Sequence, residues 1–311
     1  MKFAGRINSF LFQSETNKTV IDSIERYKEV EGITHLEFNY PEHVTMDTVV
    51  DLKKHFGHLK VNGVATRFRN DFIHGEFTNA DEETRQKAIK LCKEAIDVCR
   101  ELEGDTVTIW QAFDGFDYPF QLDYEVGWNK MIEAFREVAD YGSDLKISIE
   151  YKPLEPRAYA ALDSIGTTLL AIKEIDRDNV GATLDFCHMI MKHDSPAYAL
   201  ALTAHQSSLF GLHMNDGDGR MDNGLIFGTL NTSQAFEFVY YLKKYNYAGV
   251  VFFDTFPVRE EVGLEIQANI EMFVAISKAI DKVGMERISS IISKQDGIQS
   301  QHLIRELISN I

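Results

Sequence analysis

The residue types best suited to chemistry in this sequence cluster in Glu150-Tyr151-Lys152-Pro153-Leu154-Glu155-Pro156-Arg157. The run closes an alternating apolar stretch, Lys146-Ile147-Ser148-Ile149, so Glu150 and Lys152 fall where a strand gives way to a loop. Side chains two apart in a strand point the same way, and this carboxylate and this ammonium therefore enter one site together. The rings of Pro153 and Pro156 stiffen the exit and bias the residues before them away from helix. Three later strand ends repeat the pattern: Asp185 with His188, His213 with Asn215 and Asp216, and Asp254. Glu150, Asp185, His213 and Asp254 then form a metal cup of three carboxylates and an imidazole. Such donors favour a hard or borderline divalent ion, Mn²⁺ first, with Co²⁺, Mg²⁺ or Zn²⁺ as alternatives. A single acid at such a junction more often caps the next helix or pairs with a lysine. Four on consecutive strands tip the balance to the cup.

Other groups gather beside it. His188 and Asp222 are candidates for a second metal, and His188 alternatively for binding substrate oxygens. Lys152, beside metal-bound carboxylates, stays protonated and can donate to a developing alkoxide; its plainer role is an ion pair with Glu155 or Asp185. Trp110 closes the fourth strand, where an indole walls a sugar ring or simply fills core. The loop that follows carries Phe113, Phe116, Tyr118 and Phe120 with Asp114 and Asp117. That mixture suits stacking on a carbohydrate while the carboxylates take its hydroxyls, or else an oligomer contact. The segment from His213 to Asp222 superficially looks like a calcium loop but lacks the closing glutamate and flanking helices.

Eight strand-like segments must position these residues: Phe3–Phe10, Ile33–Asn39, Leu59–Thr66, Asp105–Gln111, Lys146–Lys152, Val180–Phe186, Leu209–Asn215 and Gly249–Thr255. Amphipathic stretches alternate with them, near Thr19–Glu31, Thr45–Phe56, Asp81–Glu103, Glu125–Tyr141, Ala158–Ile175, Ala197–His205, Thr232–Tyr245 and Glu260–Lys282. This is the length and rhythm of an α/β (β/α)₈ barrel, whose active sites form at the C-terminal ends of the strands. A doubly wound sheet would show a Gly-rich phosphate turn after its first strand, and Gly5-Arg6-Ile7-Asn8 is unlike one. The expected organisation is a barrel over residues 1–285 and a short C-terminal helical tail over 286–311. Ile288, Ile292, Leu303, Leu307 and Ile308 give the tail an apolar stripe broken at Gly297. Such a stripe packs on its own barrel or on a neighbour, and a homodimer or homotetramer is expected.

Of the 311 residues, 48 are Asp or Glu and 32 Lys or Arg, a formal charge of −16 that repels phosphate backbones and disfavours nucleic acid as a partner. Three cysteines without a CxxC spacing point to a reducing cytoplasm. The first residues lack the apolar run of a signal peptide, and no stretch is long and apolar enough to span a membrane.

From about residue 30 to 275 the chain resembles the xylose isomerase-like TIM-barrel superfamily. The resemblance rests on Glu150-Tyr151-Lys152-Pro153-Leu154-Glu155-Pro156-Arg157, Asp185-Phe186-Cys187-His188, His213-Met214-Asn215-Asp216 with Asp222-Asn223-Gly224-Leu225-Ile226-Phe227-Gly228, and Phe253-Asp254-Thr255-Phe256-Pro257. Tyr151 and the loop from Asp114-Gly115 to Tyr118-Pro119-Phe120-Gln121 are similar to the L-rhamnose isomerase branch. The resemblance implies a two-metal aldose–ketose isomerase working by hydride shift on a small unphosphorylated sugar. Its first ion would be held by Glu150, Asp185, His213 and Asp254, and its second by His188 and Asp222 with Asp185 bridging. Lys152 would polarise the carbonyl oxygen, with Glu150 and Asp254 as catalytic carboxylates. Trp110, His188, Glu155 and Arg157 would contact substrate. Two departures stand out: Asp222-Asn223-Gly224-Leu225 lacks the second aspartate of the family's D-x-D-L, and the histidine base of an early strand has only His43 and His74 as stand-ins. The same superfamily offers a ketose 3-epimerase as the rival activity. An endonuclease IV-like enzyme would need more histidines and a basic face, and a non-catalytic sugar-binding barrel would hold metal without turnover. Phe10, Asn39, Arg67 and Trp110 are expected to set specificity.

Overall fold

The computed structural model describes residues 1–13 and 19–311. Eight parallel strands close into a barrel: β1 Lys2–Arg6, β2 Ile33–Tyr40, β3 Lys60–Thr66, β4 Thr106–Trp110, β5 Lys146–Glu150, β6 Val180–Asp185, β7 Leu209–Met214 and β8 Val250–Phe253. Each pairs with its sequence neighbours, and β1 closes the ring by pairing with both β8 and β2. Connections of this kind leave one face of the barrel, the C-terminal strand ends, to collect polar groups.

The expected first strand, Phe3–Phe10, is half right. Its chain leaves the sheet after Arg6, and Ile7–Phe12 form a helix whose Phe10 packs edge-on against Tyr27. A short apolar run carries no periodicity to separate strand from buried helix. The stretch expected at Ala158–Ile175 is helical only from Ile165, where Ser164 accepts the backbone N–H of Thr167 as N-cap. Before it, Tyr159–Ala160 pairs antiparallel with Gly115–Phe116, fastening the loop after β5 to the loop after β4. Caps set other boundaries as the composition implies: Asp81 accepts from Thr84 N–H and starts the helix Glu82–Glu101. An Ala at such a cap costs about 0.5–2 kcal/mol.

The tail folds as two helices, Met285–Ile292 and Gly297–Ile308, joined by a bidentate Arg287–Glu306 ion pair at 2.5 and 2.6 Å. Gly297 starts the second helix, and Asp296 caps it. Ile288, Leu303 and Leu307 are buried against Phe236, Tyr240 and Ile280 of the barrel's last two helices. Three residues of the stripe thus find a partner within their own chain, while Ile292 and Ile308 stay exposed. Among the described residues no helix is long and apolar enough to cross a membrane, and the three cysteines are free and buried.

Candidate metal centre

Strand register explains the convergence of the four ligands. Asp185 pairs with His213 across β6 and β7, and Trp110 pairs with Glu150 across β4 and β5. One ligand atom from each of Glu150, Asp185, His213 and Asp254 lies within 4.8 Å of the others, and all four residues are buried. Asp185 is held from behind. It is at once candidate ligand and helix cap: its Oδ1 accepts from His188 N–H at 2.9 Å, and its Oδ2 accepts from Asn215 Nδ2 at 3.0 Å. Asn215 also donates to the Asp254 carbonyl and accepts from Cys187 N–H, so one amide ties together the ends of β6, β7 and β8.

Glu37 of β2, which carries no function in the sequence reading, lies 3.3 Å from His213 Nε2 and accepts from Asn62 Nδ2 at 2.6 Å. A proton held on Nε2 toward Glu37 leaves Nδ1 turned to the cup, 3.2 Å from Glu150 Oε1. His213 Nδ1 and Asp254 Oδ1 are both buried with no partner in hydrogen-bond geometry, although Glu150 and Arg6 stand close. Three buried carboxylates, an oriented imidazole and unfulfilled lone pairs fit a divalent cation well. A carboxylate behind a ligating histidine fixes its tautomer, and such a partner is worth 10–100-fold in metal affinity. Glu37→Gln is expected to weaken divalent-ion binding by roughly that factor, measured by competition with a chelating dye, with little change in fold.

The electrostatics match. Burial pushes the Asp185 carboxyl up to about 7. Burial pushes Glu150 the same way, but the His213 and His188 imidazoles outweigh it and bring it down to about 2. Burial opposes the charge on His213 as well, yet Glu150 and Glu37 hold its pKa well above the usual value. Without a cation, the imidazoles carry the compensating protons.

Beside the cup, His188 Nδ1 lies 2.9 Å from the Tyr151 carbonyl and its Nε2 lies 3.3 Å from Asp222 Oδ2. Asp222 is brought there by a hairpin in which Asp216 and Leu225 exchange backbone hydrogen bonds at 2.9 Å. Asp216 is no ligand: its carboxylate accepts from Gly217, Leu230 and Asn231. Lys152 Nζ sits 3.1 Å from both Asp222 Oδ2 and Glu155 Oε2 and 5.3 Å from the Trp110 ring centre. Burial lowers its pKa, but Asp222 and Glu155 overcome this and raise it, so the ammonium persists. The candidate second site is thus a hydrogen-bonded triad of His188, Asp222 and Lys152, with Asp222 Oδ1 left buried and unpaired. The absent second aspartate has a steric reason. Gly224 has φ +56°, and a Cβ there would meet the Phe256 ring at 2.4 Å. Phe256 in turn lies under the Arg6 guanidinium, 4.4 Å from its ring centre, and Arg6 Nε reaches Asp254 Oδ1 at 3.0 Å.

Several expected contacts are engaged elsewhere. Arg157 donates to the Phe113 and Ile73 carbonyls and to Asp117, fastening three loops, and its guanidinium is not among the groups gathered at the cup. Asp114 accepts from the N–H groups of Glu76, Phe77 and Thr78, and Asp117 from that of Ala158, so these carboxylates brace loops. Phe10 is core. His74 is exposed on the loop after β3. His43 is buried and its Nδ1 accepts from Asn39 N–H at 2.9 Å. Burial first, then the positive Arg67 and Arg6, lower its pKa to about 3, which makes it a poor base.

That depressed pKa has a sign. His43 contributes stability that is complete above its unfolded value near 6.5 and is lost as pH falls toward 3. The loss approaches about 1.4 kcal/mol per pH unit in that window. Urea unfolding from pH 7.5 to 4.5 is expected to show a steeper acid limb for the native chain than for His43→Gln; parallel limbs refute it.

A family model described as xylose isomerase-like TIM barrel matches residues 27–276. The chain belongs to this family. A curated relative, the xylose isomerase of Thermus thermophilus, is 29% identical over 211 residues, 65% of this chain and 54% of that enzyme. This chain therefore matches only about half the length of that relative. Among solved structures, a D-tagatose 3-epimerase-like protein superposes with TM-score 0.71 at 21% identity, covering 91% of this chain and 100% of the other. D-psicose 3-epimerase from Clostridium cellulolyticum H10 superposes with TM-score 0.63 at 17% identity, covering 97% and 98%. At these identities the likeness to the solved structures is one of fold.

Proposed function

We propose that this chain is a divalent-metal-dependent aldose–ketose isomerase acting on a small unphosphorylated sugar: a pentose, a 6-deoxyhexose or a branched aldose such as apiose. Family membership supports sugar isomerase or epimerase chemistry. The observation that favours isomerisation is Lys152, a buried ammonium against Trp110 at the edge of the cup, joined to Asp222 and His188. Glu150, Asp185, His213 and Asp254 would hold a divalent cation, Mn²⁺ foremost, which would supply polarisation of substrate oxygens. Around it, Lys152 donates to the oxygen on which charge develops. Trp110 offers its face to the sugar's C–H groups and keeps water from the reacting carbons. Glu150 and Asp254, at the strand ends facing each other across the cup, are the carboxylates nearest the chemistry. We further propose that the working protein is a cytoplasmic homo-oligomer.

A ketose 3-epimerase is the second reading, and one observation favours it: His43 is bound to backbone and held neutral, so the metal-binding carboxylates are left as the acid–base pair. Metal-loaded protein incubated with aldoses and ketoses in D₂O separates the two. Ketose formed from aldose with little deuterium incorporation supports the isomerase. Deuterium wash-in at the carbon beside the carbonyl, with no aldose–ketose exchange, supports the epimerase. Retained metal without turnover of any sugar refutes both.

A further inference from the structure

The mouth of the barrel divides by charge. The ends of β5 to β8 carry the metal-binding carboxylates, whereas the ends of β1 to β4 carry Asn8, Asn39, neutral His43, Arg67, Trp110 and Gln111. Arg67 is one of four arginines without an ion pair among the described residues; of the others, Arg259 and Arg305 are exposed and Arg136 donates to backbone carbonyls. Arg100, Arg177 and Arg287 are each clamped on a carboxylate, Arg6 on Asp254 and Arg157 on Asp117. The half-buried Arg67 guanidinium has no ion pair and no side-chain acceptor among the described residues, in a chain with an excess of acids. Its position is nonetheless fixed. Arg67 N–H donates to the Tyr40 carbonyl at 2.8 Å, and the guanidinium carbon stands 5.8 Å from the Trp110 ring centre. Lys152 approaches the same indole at 5.3 Å, so two cations lie near one ring. One cation is saturated by Asp222 and Glu155; the other keeps its donors open.

We propose that Arg67 is a specificity-determining residue that donates to the oxygens of the substrate's end remote from the metal cup. The guanidinium presents five N–H donors in a rigid fork and no acceptor, so its partner must supply lone pairs. Adjacent hydroxyls of an open-chain polyol, one end of which sits on the cup, provide them. The cation–π contact with Trp110 restrains the fork, which reduces the entropy lost on binding. Gln111 offers the complementary atom nearby in sequence: its Oε1 is buried without a partner while its Nε2 donates to Asp114. This assignment rests on the sugar-isomerase reading and adds to it which side of the barrel recognises the distal hydroxyls.

The test uses Mn²⁺-loaded native protein, Arg67→Met and Arg67→Lys, with xylitol and sorbitol as non-reacting probes in titration calorimetry. Hydrogen bonds from a charged group predict a loss of roughly 10–100-fold in polyol affinity for Arg67→Met, partly restored in Arg67→Lys. Metal stoichiometry stays at its native value, because the four cup residues are untouched. In turnover, KM rises more than kcat falls. Equal polyol affinity in the native protein and Arg67→Met overturns the proposal, as does a lowered melting temperature with unchanged affinity. Polyol binding that depends on Arg67, in a protein that turns over no sugar, sinks the isomerase reading and leaves this one standing.

Discussion

Exhaustive chelation is expected to abolish turnover, and Mn²⁺ or Co²⁺ to restore it at least as well as Mg²⁺. The expectation follows from the cup itself. Glu150, Asp185, His213 and Asp254 converge within 4.8 Å, and burial drives the Asp185 carboxyl up to about 7 in the absence of a cation. A fold that gathers buried carboxylates around an imidazole whose Nδ1 lacks a hydrogen bond has a strong electrostatic deficit there. Mixed oxygen and nitrogen donors suit Mn²⁺ and Co²⁺, and Mg²⁺ prefers oxygen with retained waters. Binding also stabilises the fold by mass action, about 2.7 kcal/mol at a hundredfold excess over Kd. Melting should therefore shift upward by several degrees on loading. Full activity in protein shown by elemental analysis to be free of transition metals and magnesium refutes the prediction.

The barrel and the cup were legible because each rests on a strong local signal. A buried strand ending in an acid at Glu150, Asp185 or Asp254 breaks the apolar run at the position a barrel exposes on its active face. What was hidden depends on packing across the barrel. Glu37 sits inside a strand, Ile33–Tyr40, where a charged residue has no motif to announce it; its role appears only once β2 faces His213 across the barrel. An acid flanked by Leu36 and Phe38 within a strand was the available signal. Arg157 lies in the most informative motif of the chain and yet fastens loops, since spacing along a loop does not fix where a long side chain turns. Asp185 satisfies both of the readings weighed for such an acid, capping a helix with one oxygen while its carboxylate joins the cup. Gly224 explains itself only through Phe256, thirty-two residues later, whose ring occupies the space a side chain would need.

Replacing Lys152 by Met is expected to lower kcat by roughly 10²–10³, or about 2.7–4 kcal/mol, as for the loss of a preorganised donor. The geometry makes the role testable because Lys152 has a structural alternative on the same page. Its ammonium bridges Asp222 and Glu155 at 3.1 Å each, and both are pairs that Met would break. The four cup ligands are untouched, and Met keeps most of the stem that packs near Trp110. If the ammonium only balances charge, Lys152→Met leaves the buried Asp222 carboxylate balanced by His188 alone, and stability or metal retention falls while saturating Mn²⁺ restores turnover. If the ammonium instead meets the substrate oxygen, metal cannot replace it: kcat stays low at saturation while metal stoichiometry and melting remain near native. Asp222→Asn separates the terms further. It removes one counter-charge from Lys152 but leaves the donor in place, so a donor role predicts a smaller kcat loss than Lys152→Met, and a purely charge-balancing role predicts equal losses. Near-native kcat for Lys152→Met under saturating Mn²⁺ removes Lys152 from the reaction.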